Sequence, residues 1–560
     1  MLYAGQETEW RNRLIWGDKK YVLPGLLPEF AGKVNLIYID PPFATGADFS
    51  FTTAIPESEE SLTKEPSMIE QKAYRDTWGR GFDGYTQWFY ETVVLLRELL
   101  AENGSIYIHC DWRVDSTIRL ILDEVFGSQY YGNEIIWHYQ SGGRQENRYS
   151  KKHDTIFLYN RSNSWIFNAD RIGEARGTAK RNNMKREVDE EGRIFFSIKS
   201  AGKIYKYYED EKLTPPDVWI DISHIQQKDP QRVGYPTQKP EALLERIITA
   251  SSNEGDLVLD CFCGSGTTAA VAEKLGRRWI TCDLGRFAIH TARKRLLSID
   301  DVKPFVVQNL GKYERQAWQT AEFADPTQRA SVQLRYRNFI LDLYHATPID
   351  GYSWLHGVKG GKLIHVGSVD APISLGEVRS IVNEFWRVKG KDAGEHTNGI
   401  DVLGWDFAFD LNETAKQMAA DSNITLSFKK IPREVLEKKA VEQGDIAFYE
   451  LAALAVTVQT GKRSVSVELQ NFFMPPDDVP QDVKNAITHW RQWIDYWAID
   501  WDYREDTFHN QWQSYRTKKQ PDMLLKAHYE YEEPGTYIIV IKVIDILGND
   551  TTKAVAVEIM

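Results

Sequence analysis

The stretch DLVLDCFCGSGTTAAVAEKLG, residues 256–276, constrains the fold more than any other part of this sequence. Its opening LVLD is short and continuously apolar, as a strand buried on both faces requires. Gly264 and Gly266 follow at once, where the chain must turn sharply and a Cβ would obstruct it. A run of helix formers comes next, and then RWITCDL (278–284) is apolar again. Strand, glycine turn, helix and strand make a βαβ unit, which implies a parallel sheet covered by helices. A proline-opened helix in PTQKPEALLERIITASS (236–252) leads into this unit.

A second α/β segment lies nearer the N-terminus. VNLIYID (34–40) and GSIYIHC (104–110) read as buried strands, with apolar residues at helical spacing from Thr86 to Ala101 between them, and IFLYN (156–160) reads as a further strand. The intervening AIPESEESLTKEPSMIE (54–70) is acidic and carries two prolines, the composition of a mobile surface loop. Its position just after residues 39–43 also suits a lid. After about residue 310, KLIHVGS, a helix around Val378 to Trp386, IDVLGWDFAF and ITLSFKKI indicate a smaller α/β module without a catalytic constellation. Trp490, Trp493, Trp497 and Trp501 recur at helical spacing and predict a helix that packs an aromatic face. The tail from His528 to Ile559 alternates around an LGND turn, predicts antiparallel strands of a small sandwich, and resembles PKD-like immunoglobulin-fold modules.

Composition excludes several classes. A chain of 560 residues exceeds one core, and no apolar run reaches bilayer length. The first twenty residues have no basic start followed by an apolar stretch, so no secretion signal is expected there. Four cysteines, at 110, 261, 263 and 282, are too few for a disulfide framework and fit a reducing cytoplasm. Cys261 and Cys263 lack the spacing and partners of a zinc knuckle, so they are expected to pack and no metal is expected. A net charge of -12 argues against a protein that coats nucleic acid. Yet from Arg144 to Arg186 there are eleven Lys or Arg against four Asp or Glu, which marks one DNA-facing segment.

The glycine turn points to a nucleoside cofactor. Asp260 ends the strand, and Asp283 ends the next one, where a carboxylate accepts ribose hydroxyl protons. Gly264, Gly266 and Ala269 also satisfy the loose dinucleotide pattern, which leaves a nicotinamide or flavin oxidoreductase open.

IDPPF (39–43) decides between them. Pro41 and Pro42 donate no backbone hydrogen bond but keep their carbonyl acceptors at fixed φ, with the Asp40 carboxylate beside them. An aromatic amine is a poor nucleophile because its lone pair is delocalised into the ring. If Asp40 and the Pro41 carbonyl each accept one amino hydrogen, the nitrogen pyramidalises and directs its lone pair at an electrophilic methyl group. Phe43 offers a flat face on which an extruded base stacks.

RLIWGD (13–18), IDPPF, GSIYIHCD (104–111), KKHDTIFLY (151–159), PTQKPEALL (236–244) and DCFCGSGTT (260–268) together resemble the beta-class amino-methyltransferases of DNA modification. The chain looks like type III restriction-modification Mod subunits over roughly residues 10–300. The resemblance implies a Rossmann-like methyltransferase fold of circularly permuted motif order, joined here to the small α/β module and the C-terminal β-sandwich. It implies S-adenosyl-L-methionine as cofactor and duplex DNA as substrate. Asp40, Pro41, Pro42 and Phe43 take the catalytic roles; Asp18, Thr237, Lys239, Asp260, Phe262, Gly264, Gly266, Thr267 and Asp283 take the cofactor. An aspartate opening the motif favours adenine N6, with cytosine N4 as the alternative; the family more often has tyrosine where Phe43 stands. A non-catalytic DNA-binding scaffold is the third reading. Sequence recognition falls to the basic segment, with Arg144, Arg181 and Asn182 as candidates for reading base edges. The expected division is a catalytic half (1–140), a target-recognition insertion (141–230), a cofactor half (231–310), the α/β module (311–445) and the tryptophan-rich segment with the sandwich (446–560). Homodimerisation and a helicase-nuclease restriction subunit are the protein partners the resemblance implies.

Overall fold

The strongly apolar runs pair into one nine-stranded sheet in a computed structural model, which describes residues 10–42, 51–56, 61–64, 82–139, 146–175, 184–323, 332–389, 397–408, 411–436, 441, 446, 448–474, 485–504, 508–516 and 522–560. The chain divides into two compact units. One comprises Trp10–Phe49 and Glu70–Leu310; the other comprises Met1–Glu9, Ser50–Ile69 and Gly311–Met560.

In the first unit the strand order is Val218–Trp219, Tyr131–His138, His153–Asn160, Leu100–Cys110, Val34–Ile39, Leu257–Asp260, Arg278–Asp283, Asn12–Trp16, Phe305–Asn309. From Leu100–Cys110 to Phe305–Asn309 every pairing is parallel. The motif strand and the glycine-turn strand are direct neighbours, Ile37 opposite Leu259. Asp40 and Asp260, far apart in sequence, therefore leave adjacent strands at the same carboxyl edge, where open α/β sheets bind ligands.

Alternation along the central strands fills two cores. Ile37 and Ile39 point to one face, packed with the helices Lys19–Phe30, Phe82–Leu99 and Asp115–Phe126. Leu36 and Tyr38 point to the other, packed with Glu241–Ser251, Thr267–Lys274 and Arg286–Leu297. Cys261 and Cys263 are buried packing residues, as their spacing implied, and Cys282 is buried beside them.

The sheet is mixed rather than wholly parallel. His153–Asn160 runs antiparallel to Leu100–Cys110, and Tyr131–His138 antiparallel to His153–Asn160. A parallel return needs a crossover, usually a helix. The described part of this connection, residue 139 and residues 146–152, contains none. Within the segment 141–230, Lys185–Val188, Ile194–Ser200 and Lys203–Tyr208 form a three-stranded antiparallel sheet.

The second unit holds a six-stranded sheet whose Lys362–Val366, Gly399–Gly404 and Thr425–Lys430 strands are parallel. It also holds two antiparallel sheets that share one core, the expected sandwich. Gly535–Asp545 and Asp550–Ile559 pair around the LGND turn, where Gly548 has φ +79°.

Two expectations fail here. The tryptophans do not lie on one helix. Trp490–Trp493 form a 3-10 turn, Trp497 lies on the strand Ile494–Asp500, and Trp501 follows it. A spacing of four brings residues to one face of a strand as well as of a helix, and the β-branched and aromatic run from Ile494 favours the strand. Nor is the segment after the motif wholly a solvated loop. Phe51–Ala54 pairs with Ser61–Lys64 in a hairpin, and Ile55 is 2% exposed.

Candidate active site

Asp40 and the two prolines leave the motif strand beside the glycine turn, with Pro41 buried. Lys239 reaches Asp40 from the loop before the helix Glu241–Ser251, and its ammonium pairs with Asp40 Oδ2. The other oxygen, Asp40 Oδ1, is buried and has no hydrogen-bond partner. A carboxylate oxygen can only accept, so the site presents one unfilled acceptor next to a filled one.

Tyr38, two residues before Asp40, is fixed by a buried relay. His109 Nε2 donates to Asp154 Oδ2 at 3.1 Å, which leaves Nδ1 to accept the Tyr38 hydroxyl at 2.9 Å. Tyr139 donates to Asp154 Oδ1 at 2.9 Å. Burial pushes the Tyr38 phenol well up. Burial also pushes the Asp154 carboxyl up, but the hydrogen bond from His109, the charge of Lys239 and the hydrogen bond from Tyr139 outweigh it and lower the net value. The motifs GSIYIHCD and KKHDTIFLY carry this relay, a task that their sequence alone does not reveal.

The glycine turn is organised by its two aspartates. Asp260 accepts from Phe262 N–H at 2.9 Å and from the Thr268 hydroxyl at 2.6 Å, so it braces the loop from within. Asp283 Oδ2 accepts from Gly264 N–H at 2.9 Å, and Oδ1 from Gly285 N–H at 2.8 Å. A carboxylate held in this way at the end of its strand is the kind of acceptor that takes ribose hydroxyl protons. Gly266 opens the helix Thr267–Lys274 with φ +72°, and a Cβ there would stand 2.7 Å from Ala292 Cβ. Close helix packing therefore requires this glycine. Gly264, at φ +47°, lies against the Tyr235 ring. This donor and acceptor set fits a nucleoside cofactor.

The remaining candidates are placed as follows. Asp18 caps the helix Lys19–Phe30 and accepts from Lys20 N–H. The Thr267 hydroxyl donates to Lys239 O at 3.3 Å and accepts from Arg295 at 2.8 Å, so it ties the turn to the loop bearing Lys239. Phe262 packs on Trp88, with ring centroids 5.6 Å apart. Thr237 is exposed on the same loop as Lys239. Phe43, Arg144, Arg181 and Asn182 lie outside the described residues.

Sequence reasoning missed Lys19, which is 7% exposed with its ammonium 4.0 Å from the Trp88 ring centroid and 5.7 Å from that of Phe262. Burial pushes its ammonium down, against the opposing charge of Asp18. It also missed Arg295 and the Asp40–Lys239 pair, because such contacts join residues distant in the chain, and Thr268, which bonds Asp260 within the glycine motif itself. On the three-stranded sheet, Lys185, Arg186, Arg193, Lys199, Lys203 and Lys206 are exposed cations, with Ile204 and Tyr205 exposed among them. Among the described residues no three His, Cys, Asp or Glu are grouped to hold a metal ion, and no helix is long and apolar enough to cross a membrane.

The chain is similar to several known proteins. A family model described as DNA methylase matches residues 34–294, which include both motifs. Type II methyltransferase M.HpaI of Haemophilus parainfluenzae is 30% identical over 265 residues, 47% of this chain and 68% of that one. DNA adenine methyltransferase YhdJ of Escherichia coli (strain K12) is 28% identical over 288 residues, 51% of this chain and 83% of that one. Among solved structures, the M1.HpyAVI–SAM complex is 21% identical, covers 51% of this chain and 100% of its own, and has a TM-score of 0.30.

Proposed function

Because the chain belongs to the N6/N4 DNA methylase family, we propose that it transfers a methyl group from S-adenosyl-L-methionine to adenine N6 in duplex DNA, on a base turned out of the helix. The observation that carries this reading is the buried, unpartnered Asp40 Oδ1 beside the Lys239-paired Oδ2. An amino group needs such an acceptor. Lys239 holds one oxygen, so the carboxylate cannot rotate freely and Oδ1 stays aimed at the incoming hydrogen. The Pro41 carbonyl takes the second hydrogen, and the nitrogen lone pair is left to attack. S-adenosylmethionine supplies the electrophilic methyl carbon when bound. Asp283 would hold its ribose hydroxyls, the Gly264–Gly266 turn would let it approach the backbone, and Phe262 would help to enclose it. After transfer the surplus amino proton leaves through Asp40 Oδ1 or water. A base stacked inside a duplex cannot reach this sheet edge, so the target must be extruded, with Phe43 stacking on it.

Adenine is favoured by the aspartate that opens the motif, and an adenine methyltransferase is among the relatives. The exposed cations of the three-stranded sheet hold the phosphate backbone, while Arg144, Arg181 and Asn182 read bases in the same 141–230 segment. A second copy of the chain and a restriction subunit are the proposed protein partners, and the cytoplasm is the proposed location. Single-molecule sequencing of genomic DNA from cells that express the wild-type chain or Asp40→Ala tests the reading. N6-methyladenine at one recurring motif in the wild type alone supports it. N4-methylcytosine instead reassigns the base, and the absence of both marks contradicts it.

A further inference from the structure

The α/β module of the second unit carries helices on both faces of its sheet. Leu363, Ile400 and Val402 point to one face and pack on the helix Leu375–Lys389, which follows the strand Lys362–Val366. Ile364, Val366 and Leu403 point to the other face and pack on the helix Val332–Leu343, which precedes that strand. Helices that diverge to opposite faces open a crevice outside the carboxyl end of a strand, and this is where open α/β sheets bind ligands. A cavity of about 400 Å³ lies there, lined from both helices and from the end of the strand. Its size is that of a small-molecule site.

One wall of the cavity is a flat aromatic face held in place. The Trp354 ring stacks on His365, with centroids 6.2 Å apart and planes 26° apart. His365 is 2% exposed; its Nδ1 donates to Trp354 O at 2.6 Å and its Nε2 meets Glu377 Oε1 at 2.9 Å. Buried Glu384 accepts from the Ser353, Trp354 and Leu355 N–H groups, so the backbone that carries the indole is fixed as well. Arg337 also lines the cavity and makes no hydrogen bond or ion pair among the described residues. Its guanidinium is a planar fork of donors that matches phosphate oxygens. The Ser368 and Ser374 oxygens accept from Asp370 N–H at 3.1 Å and Glu377 N–H at 3.2 Å, which leaves their hydroxyl protons to donate. Glu377, steadied by His365, adds an acceptor suited to a hydroxyl group.

We propose that this cavity binds a nucleoside monophosphate, with the base on Trp354, the phosphate on Arg337 and the two serine hydroxyls, and the sugar hydroxyls on Glu377. A bare anion would leave the indole wall without a task, and an apolar ligand would leave the guanidinium without a partner. The site is separate from the glycine turn and does not depend on the methyltransferase reading.

The test is titration calorimetry on the full chain with AMP, GMP, CMP and UMP as separate probes, each compared with its own nucleoside and with inorganic phosphate. Saturating S-adenosylhomocysteine is present throughout, so that the nucleoside site of the catalytic unit is filled. At least one monophosphate is expected to bind with a Kd of about 1 mM or tighter. It should bind at least tenfold more tightly than its nucleoside or phosphate alone, and should slow hydrogen exchange in peptides covering 362–380. Arg337→Gln and Trp354→Leu should each weaken that binding at least tenfold, and Trp354→Phe should stay within threefold of wild type. The affinity for S-adenosylhomocysteine should be unchanged within twofold in all three variants. No heat from any of the four monophosphates would overturn the proposal, and so would binding that leaves exchange in 362–380 unaltered. Inorganic phosphate binding as tightly as the monophosphates would overturn the nucleotide assignment, and binding undiminished in both Arg337→Gln and Trp354→Leu would put the ligand elsewhere.

Discussion

Replacing Asp260 with asparagine removes a charge that the fold holds under strain. Asp260 is 3% exposed, and its two oxygens serve the Phe262 amide and the Thr268 hydroxyl. Burial, reinforced by the charges of Asp40 and Asp283, pushes its carboxyl up from 3.8 to about 7, and the two hydrogen bonds only moderate the rise. Asparagine has the same shape: its carbonyl serves Phe262, and its amide faces a Thr268 hydroxyl that can accept instead. The sign follows from proton binding. Between 3.8 and about 7 the folded chain holds a proton at Asp260 that the unfolded chain releases. Wild type therefore keeps this contribution below 3.8 and loses it as the pH rises through about 7. A shift of about 3 units at about 1.36 kcal/mol each makes the loss about 4 kcal/mol. Asparagine has nothing to lose. Scanning calorimetry of both proteins from pH 4 to pH 8, following the transition that S-adenosylhomocysteine raises, should show the stability of Asp260→Asn relative to wild type climbing with pH and levelling above about pH 8. A stability difference that is flat across this range would refute the claim that Asp260 is protonated in the fold at acidic pH.

Gly266→Ala should destabilise the same transition by about 2–5 kcal/mol, from left-handed backbone strain and a Cβ forced against Ala292. Gly255→Ala, at φ +80° with nothing within 4 Å of the added Cβ, should cost only about 1–2 kcal/mol; equal losses measured by calorimetry would show that helix packing is not what the second glycine serves. Replacing Lys199, Lys203 and Lys206 together with glutamine should weaken DNA binding without changing its sequence preference. In fluorescence anisotropy titrations the log K against log salt slope should shrink by about 0.9 for each phosphate no longer neutralised, and an unchanged slope would remove this sheet from the DNA-facing surface.

Much of the fold is legible in sequence because buried strands leave continuous apolar runs. Val34–Ile39, Leu257–Asp260 and Arg278–Asp283 are of this kind. The direction of His153–Asn160 is not legible, since an apolar strand reads the same whether it pairs parallel or antiparallel. Trp493, Trp497 and Trp501 mislead because a spacing of four fits one face of either element. Ile55 is one apolar residue in an acidic stretch, and only its distant partners Ile546 and Leu547 give it meaning. The same holds at the site. Asp40, Asp260 and Asp283 are visible as strand-end carboxylates, but nothing in the sequence says that Asp260 turns inward to Thr268 while Asp283 receives the Gly264 and Gly285 amides. The pairing of Lys239 with Asp40 likewise depends on a loop that the sheet folds back onto the motif.

Whether Asp40 is the acceptor for the base amino group is decided by the single-turnover rate of methyl transfer in Asp40→Asn, with S-adenosylhomocysteine binding checked by calorimetry. The Lys239 ammonium only donates, so the asparagine carbonyl must turn to it, and the amide nitrogen then occupies the place of the unpartnered Oδ1. The base amino group would meet donors where it needs an acceptor. Cofactor binding should be unchanged and the rate reduced by about a hundredfold or more, the size of effect seen when one directional hydrogen bond is removed from an active site. A rate within a few-fold of wild type, with the same base modified, would contradict the role given to Asp40.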